Sequence, residues 1–354
     1  MDTVLQLSKK LIAIPSTQDN PKALDKVLEI SEQALEGFRF EAFSKKDSRS
    51  VLFYNTQKLP RKFKIILNAH LDVVPAKKHQ YEPKEKNGRL YGRGANDMKA
   101  AAATMILLFK ELASSVSYPL SLQLVTDEEI GGFNGTKYQI EKGVRADFII
   151  AGEPTEFGIN NEAKGILWIK LKTVGKAAHG AYPWNGDNAI LKIKKTIDLL
   201  EKEFPVPIKE EWQTTINLAW IKTFNQTFNK VPDNCHVGLD IRYIPKDKKD
   251  VLNRLRNLLS KDTTLEIIMN EPTQYTDRKN PYILSLQKII KKVTGKTSPI
   301  IVKHGSSDIR HFNQVGCDGI TFGPIGANHH GDEEWVSIKS LRDYYKVLKK
   351  FLTF

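Results

Sequence analysis

His70 and Asp72 stand two residues apart in NAHLDVVP, at the end of a run that reads as a strand. On extended chain they point the same way. His70 can offer one ring nitrogen to a metal, and Asp72 can hold the other and fix the tautomer. Taken alone, such a His is equally one satisfied by solvent. Asp97, in YGRGANDMKAAAA, opens a predicted helix after Gly92 and Gly94. An Asp there either caps the helix or bridges two cations through its two oxygens, with the glycines letting the backbone bend around the site. Glu128 and Glu129 follow another strand pattern in LVTDEEIGG. Adjacent carboxylates repel unless a cation or proton separates them. Their side chains diverge, so one can bind metal while its neighbour faces a water, the arrangement a metal-assisted general base needs. A bare DEE run is otherwise a solvated turn. Glu153 follows a buried run in IIAGEPTE, and GPIGANHHGDEEWV offers His329 or His330 as a late imidazole.

His70, Asp97, Glu129, Glu153 and one of His329 or His330 make two imidazoles and three carboxylates. That donor set suits two zinc or related ions sharing one carboxylate. Glu128 is left over as the base and Asp72 as the orienter. Each motif is ambiguous singly. Five in one chain, at the strand ends where open α/β sheets bind ligands, are not.

The elements that must position them alternate. Helical spacing covers 2–13, 23–36 and 97–113, and buried or alternating strand runs cover 63–69, 120–126 and 147–151. This predicts an α/β layer with a mainly parallel central sheet. The middle differs: strands at 166–173, 215–222, 235–244 and 264–270, with helices at 187–203 and 247–260, give the β-α-β-β-α-β order of a ferredoxin-like α+β unit. After Pro272 the α/β pattern resumes with helices at 281–293, 306–314 and 337–351 and a strand at 318–322. The expected organisation is one discontinuous catalytic domain, residues 1–164 and 274–354, around an inserted domain, residues 165–273.

Composition narrows the class. The 354 residues carry 54 Lys and Arg against 41 Asp and Glu, a net charge of +13, and are 40% hydrophobic. That hydrophobic share excludes a disordered chain. Two cysteines, Cys235 and Cys317, exclude a disulfide scaffold and read as small core residues. The lysines are dispersed and often sit beside acids, as on solvated helix faces, so no nucleic-acid partner is expected. MDTVLQLSKK lacks the form of a signal peptide and no long apolar run follows, so no membrane association and a cytoplasmic location are expected.

The motifs HLD at 70–72, GRGANDMK at 92–99, DEEIGG at 127–132, GEPT at 152–155, GKAAHGAYP at 175–183 and HGDEEWV at 330–336 together resemble the di-zinc metallopeptidase family that includes succinyl-diaminopimelate desuccinylase, acetylornithine deacetylase, aminoacylase and glutamate carboxypeptidase. They run in the family order over almost the whole chain. The resemblance implies that His70 and Glu153 bind one zinc, Glu129 and His330 the other, with Asp97 bridging. Glu334, Trp335 and Val336 fall where the family register selects His330 over His329. The resemblance also implies a non-proline cis peptide after Asp97, Glu128 as general base and acid, and Asp72 as the partner of His70. In such proteins the inserted domain serves as lid and dimer contact. It carries a His, here His179, that reaches the partner's active site and meets the oxyanion. Asn229, Arg242, Ser307, Arg310 and Gly326 match positions lining the substrate pocket, and an Arg suits a carboxylate through paired hydrogen bonds.

The implied reaction is amide hydrolysis by two zinc ions roughly 3.5–4 Å apart, with cobalt or manganese able to substitute. Glu153 in GEPT, where other branches have Asp, resembles the deacylases of amino-acid biosynthesis. An N-acyl amino acid with a free carboxylate is therefore the first choice of substrate, and a dipeptide or carboxypeptidase substrate the second. A non-catalytic relative would be betrayed by loss of a ligand or base, yet every matched position is intact.

Overall fold

The computed structural model describes residues 2–353, which divide into two compact units: residues 2–162, 275–301 and 307–353, and residues 163–274 with 302–306. The first unit is built on a mixed sheet. Its centre is four parallel strands in the spatial order Leu120–Val125, Phe63–His70, Ala146–Ala151 and Asp318–Thr321. Beyond Leu120–Val125, strands Ser48–Tyr54 and Arg39–Lys45 continue the sheet antiparallel. The parallel strands are therefore the core of the sheet and antiparallel ones flank it, a flank the sequence pattern does not announce.

Strand Leu120–Val125 is buried at every position, and Phe63–His70 at all but one. Such continuous burial is what a strand covered on both faces requires. Helix Lys99–Leu112 covers one face. Ala100 to Ala103 are all fully buried in it, and these small side chains let the helix lie close to the sheet, with Met105, Ile106, Leu108 and Phe109 filling the core beside them. Helices Asp2–Ile12, Pro21–Ala34, Pro281–Thr294 and Ile338–Leu352 contribute to the same cluster through Leu11, Val27, Ile283 and Tyr344. Each such fully buried Leu, Ile or Phe contributes about 1.5–3 kcal/mol relative to exposure.

A ladder of buried amides crosses the sheet below its carboxyl end. Asn68 Nδ2 donates to Gln123 Oε1 (2.8 Å), Gln123 Nε2 to Gln139 Oε1 (2.8 Å), and Gln139 Nε2 to Ser50 Oγ (2.9 Å). In a low-dielectric interior such a chain pins strand register, because a slipped strand would leave its amides unpaired.

The second unit has a four-stranded antiparallel sheet in the order Thr215–Lys222, Asn234–Tyr243, Gly165–Val174, Thr263–Glu271, with helices Ala189–Glu203 and Val251–Asn257. The element order is β-α-β-β-α-β. Leu167, Ile169, Leu171, Ile193, Val237, Leu239 and Ile241 form its own core. Cys235 lies in that core and Cys317 in the first unit, both buried free thiols.

Candidate metal centre

Four neighbouring strands of the first unit end on one side, and the chemistry-bearing residues follow those ends. His70 is the last residue of its strand, Glu128 and Glu129 lie in a short turn after Leu120–Val125, and Glu153 comes two residues after Ala146–Ala151. Asp97 precedes helix Lys99–Leu112, whose N-cap is Met98, and the Asp97–Met98 peptide is cis. Asp97 therefore does not cap that helix; its carboxylate faces two imidazoles instead. Oδ1 lies 3.1 Å from His70 Nε2, and Oδ2 lies 3.4 Å from His330 Nε2.

Two donor groups result. One is His70, Glu128 and Glu153; the other is Asp97, Glu129 and His330. Glu153 Oε1 is 3.7 Å from His70 Nε2, and Glu129 Oε2 is 3.2 Å from His330 Nε2. The other ring nitrogen of His70, Nδ1, faces the Asp72 backbone oxygen at 3.0 Å and the Asp72 carboxylate at 3.5 Å. Asp72 has a second task as well. Its carboxylate accepts the backbone N–H of Glu128 (3.3 Å) and Glu129 (3.0 Å), so one buried group aims both the imidazole and the acidic turn. Gln18 steadies it, with Nε2 donating to Asp72 Oδ2 (3.0 Å) and to the Thr126 oxygen (2.8 Å).

The electrostatics call for cations. Four carboxylates and two imidazoles share the site, and Glu129 Oε1 is buried with no hydrogen-bond partner among the described residues. A buried carboxylate oxygen left so is costly unless a cation meets it. Burial alone would strip the proton from His70, but Asp72 and Asp97 hold its pKa well above the ordinary value. Hydrogen bonds that His330 donates to Asp97 and Glu129 raise its pKa to about 10 against the effect of burial. Burial opposes ionisation of Asp97, yet His330 and His70 keep its pKa far below the carboxylate range. Burial, and then the charge of Glu153, push Glu128 up. Protons here stand where divalent cations would fit, and the donors are those of zinc and related ions.

The remaining candidates fall into two places. In the first unit, Arg310 is buried; Nη1 donates to the Ser307 oxygen (2.7 Å) and Nη2 to the Gly131 oxygen (2.6 Å). It thus grips the turn that carries Glu128 and Glu129. Gly131 and Gly132 in that turn have φ of +110° and +66°, and a Cβ on Gly132 would lie 2.0 Å from Asp308 Oδ1. Gly326 backs onto Asn96, beside Asp97; a Cβ there would lie 2.2 Å from Asn96 Oδ1. In the second unit, His179 is exposed and lies on a segment bridged to Lys230, and Gly180 N–H donates to the Asn229 oxygen (2.6 Å). His179 Nδ1 accepts from Ala181 N–H (3.1 Å), which leaves the proton of the neutral ring on Nε2. Arg242 makes a two-point pair with Asp240 (2.9 and 3.1 Å).

Sequence reasoning missed Gln18, the grip of Arg310 on Gly131, and the buried pair Arg93–Glu334. Arg93 and Glu334 lie inside recognised motifs, so the signal was present, but nothing in either motif says that the two meet.

The model of Peptidase family M20/M25/M40 matches residues 66–353. The chain belongs to this family. It is a metal-dependent amidohydrolase with the mixed α/β fold just described. A succinyl-diaminopimelate desuccinylase from a Nitratiruptor species is 28% identical, with 99% of each chain covered. A probable carboxypeptidase from Emericella nidulans is 26% identical, covering 99% of this chain and 88% of the relative. Among solved structures, the aminopeptidase PepT from Bacillus cereus superimposes with a TM-score of 0.80 at 16% identity, covering 99% of this chain and 97% of that one; at that identity the likeness is one of fold. Among the described residues no helix is long and apolar enough to cross a membrane.

Proposed function

We propose that this M20 hydrolase cleaves the amide bond of an N-acyl amino acid, in the manner of a desuccinylase or deacetylase. The position of Asp97, whose two oxygens face one imidazole from each donor group, supports the two-ion centre, and the desuccinylase relative supports the N-acyl substrate. In this reading His70 and Glu153 hold one zinc, Glu129 and His330 hold the other, and Asp97 is shared. Two bound divalent ions supply Lewis acidity toward the carbonyl and acidify water.

The rest is done by side chains of the chain itself. Glu128, half-buried beside Glu153, takes the proton of the attacking water and hands it to the leaving nitrogen. Asp72 keeps His70 in register and holds the Glu128–Glu129 backbone. His179, its Nε2 free to donate, meets the oxyanion from a second copy of the chain in a homodimer. The substrate carboxylate and acyl group are assigned to Asn229, Arg242, Ser307, Arg310 and Gly326, with Arg310 acting mainly through the turn it grips. A second reading, carboxypeptidase or dipeptidase action, draws on the Emericella nidulans relative.

The test is hydrolysis by the zinc-loaded protein of N-succinyl-diaminopimelate, N-acetylornithine, other N-acetyl amino acids and dipeptides, with a chelator control. A strongly preferred, chelator-sensitive N-acyl amino acid is expected. Preference for a dipeptide selects the second reading, and no turnover of any member with two ions bound overturns both.

A further inference from the structure

Arg93 and Glu334 form a buried ion pair, 3% and 1% exposed, with Arg93 Nη1 donating to Glu334 Oε2 at 2.6 Å. The pair has no place in the chemistry above, yet each partner is tied to a ligand segment. Glu334 Oε1 accepts the backbone N–H of Asn96 (2.8 Å) and of Asp97 itself (3.0 Å), and Oε2 accepts Gly94 N–H (3.1 Å). Arg93 Nη2 donates to the Gly331 oxygen (3.2 Å), one residue beyond His330, and Gln80 Nε2 donates to that same oxygen (3.0 Å).

We infer that Arg93 and Glu334 are positioning residues that preset one metal site of the two. Asp97 sits in a turn ahead of a helix and His330 in a loop at φ +63°. Neither ligand belongs to a strand whose ladder would place it. One carboxylate gathers three amides of the first segment, and its guanidinium partner reaches the carbonyl of the second. The pair thereby sets the spacing between Asp97 and His330. The places of His70 and Glu153 follow instead from the ends of adjacent parallel strands. Loss of the pair should therefore weaken the ion held by Glu129 and His330 more than the ion held by His70 and Glu153. This rests on the ligand assignment proposed above.

Glu334→Gln is the sharp variant, because in either orientation its amide NH2 faces donors: Asn96 and Asp97 on one side, Gly94 and Arg93 on the other. The metal-free wild type and variant would be titrated with zinc by calorimetry, and with cobalt while following its absorption spectrum. The wild type should take up two ions. The variant should bind one within a few-fold of wild type and the other about 10–100-fold more weakly, the range seen when groups behind a ligand are removed. A role in folding alone would weaken both ions alike or neither, and either result overturns the inference. Fewer than two ions on the wild type instead overturns the ligand assignment. Should Glu334→Gln not fold, Arg93→Lys keeps a cation beside Glu334 but loses the fork to Gly331, and the same split is expected at the low end of that range.

Discussion

The two imidazoles that face Asp97 are placed in opposite ways. His70, Glu128 and Glu153 come from the ends of three adjacent parallel strands, and His70 is 1% exposed. Their positions are inherited from ladder hydrogen bonds and from the buried amides of Asn68 and Gln123 beneath them. His330 stands on a loop between the two-residue strand Gly326–Ala327 and the three-residue strand Trp335–Ser337, and its side chain is 48% exposed. That loop is held by side chains from elsewhere: Lys77 on Asp332, Gln80 and Arg93 on Gly331. A ligand at a strand end is placed by backbone, whereas a ligand on a loop needs dedicated groups behind it.

Asp97→Asn should break the comparison outright, because it removes the group the two sides share. Both ions are expected to be lost at concentrations that saturate the wild type, and turnover with them; metal content after gel filtration reads this directly. An ion retained at full occupancy would mean that Asp97 is not shared. The imidazoles should then separate the sides. In the metal-free protein His70→Ala leaves buried carboxylates without their partner, at a cost of about 3–5 kcal/mol. His330→Ala, on the half-exposed side, should cost less than about 1 kcal/mol. Chemical denaturation checks both, and equal losses would erase the distinction.

A pH series sharpens the same point. Both imidazoles have folded pKa values raised above 6.5, His330 to about 10. Their protonated pairs with carboxylates therefore stabilise the metal-free protein fully below about pH 6.5, and that stability is lost as pH rises toward 10. Metal binding needs those protons gone. The rise in melting temperature on adding zinc should accordingly be larger near pH 9 than near pH 6.5. A constant increment would mean that the imidazoles are already neutral. Gly326→Ala tests the packing behind Asp97 on the loop side. Its Cβ would press on Asn96 Oδ1 at 2.2 Å and the Trp335 oxygen at 2.5 Å, for a loss of about 1–3 kcal/mol in denaturation.

The strand-end residues were the legible part of the site. His70, Glu128, Glu129 and Glu153 each follow a buried apolar run, and such runs are visible in one sequence because burial on both faces demands them. His330 was legible only through the motif around it, since His329 beside it offers the same chemistry. Most core elements were found within a few residues: the strand expected at 120–126 is Leu120–Val125, and the helix at 281–293 is Pro281–Thr294. The antiparallel strands Arg39–Lys45 and Ser48–Tyr54 were missed, the first because it is largely exposed and carries no clean alternation. The short strands around Tyr91 and Trp335 were missed because two or three residues hold no period. Arg93 with Glu334 lies 241 residues apart, and Gln18 with Asp72 lies 54 apart. Such pairings depend on tertiary placement that no local pattern encodes.

The most direct test of the account concerns Glu128, whose carboxylate lies within reach of His70 and Glu153 and so could serve either as base or as ligand. Glu128→Gln should be assayed for turnover and for metal content in one preparation. The account predicts two ions per chain, as in the wild type, with turnover reduced about 10²–10⁴-fold, the range for removal of a general acid–base. An ion lost with the carboxylate, or near-normal turnover with both ions retained, would contradict it.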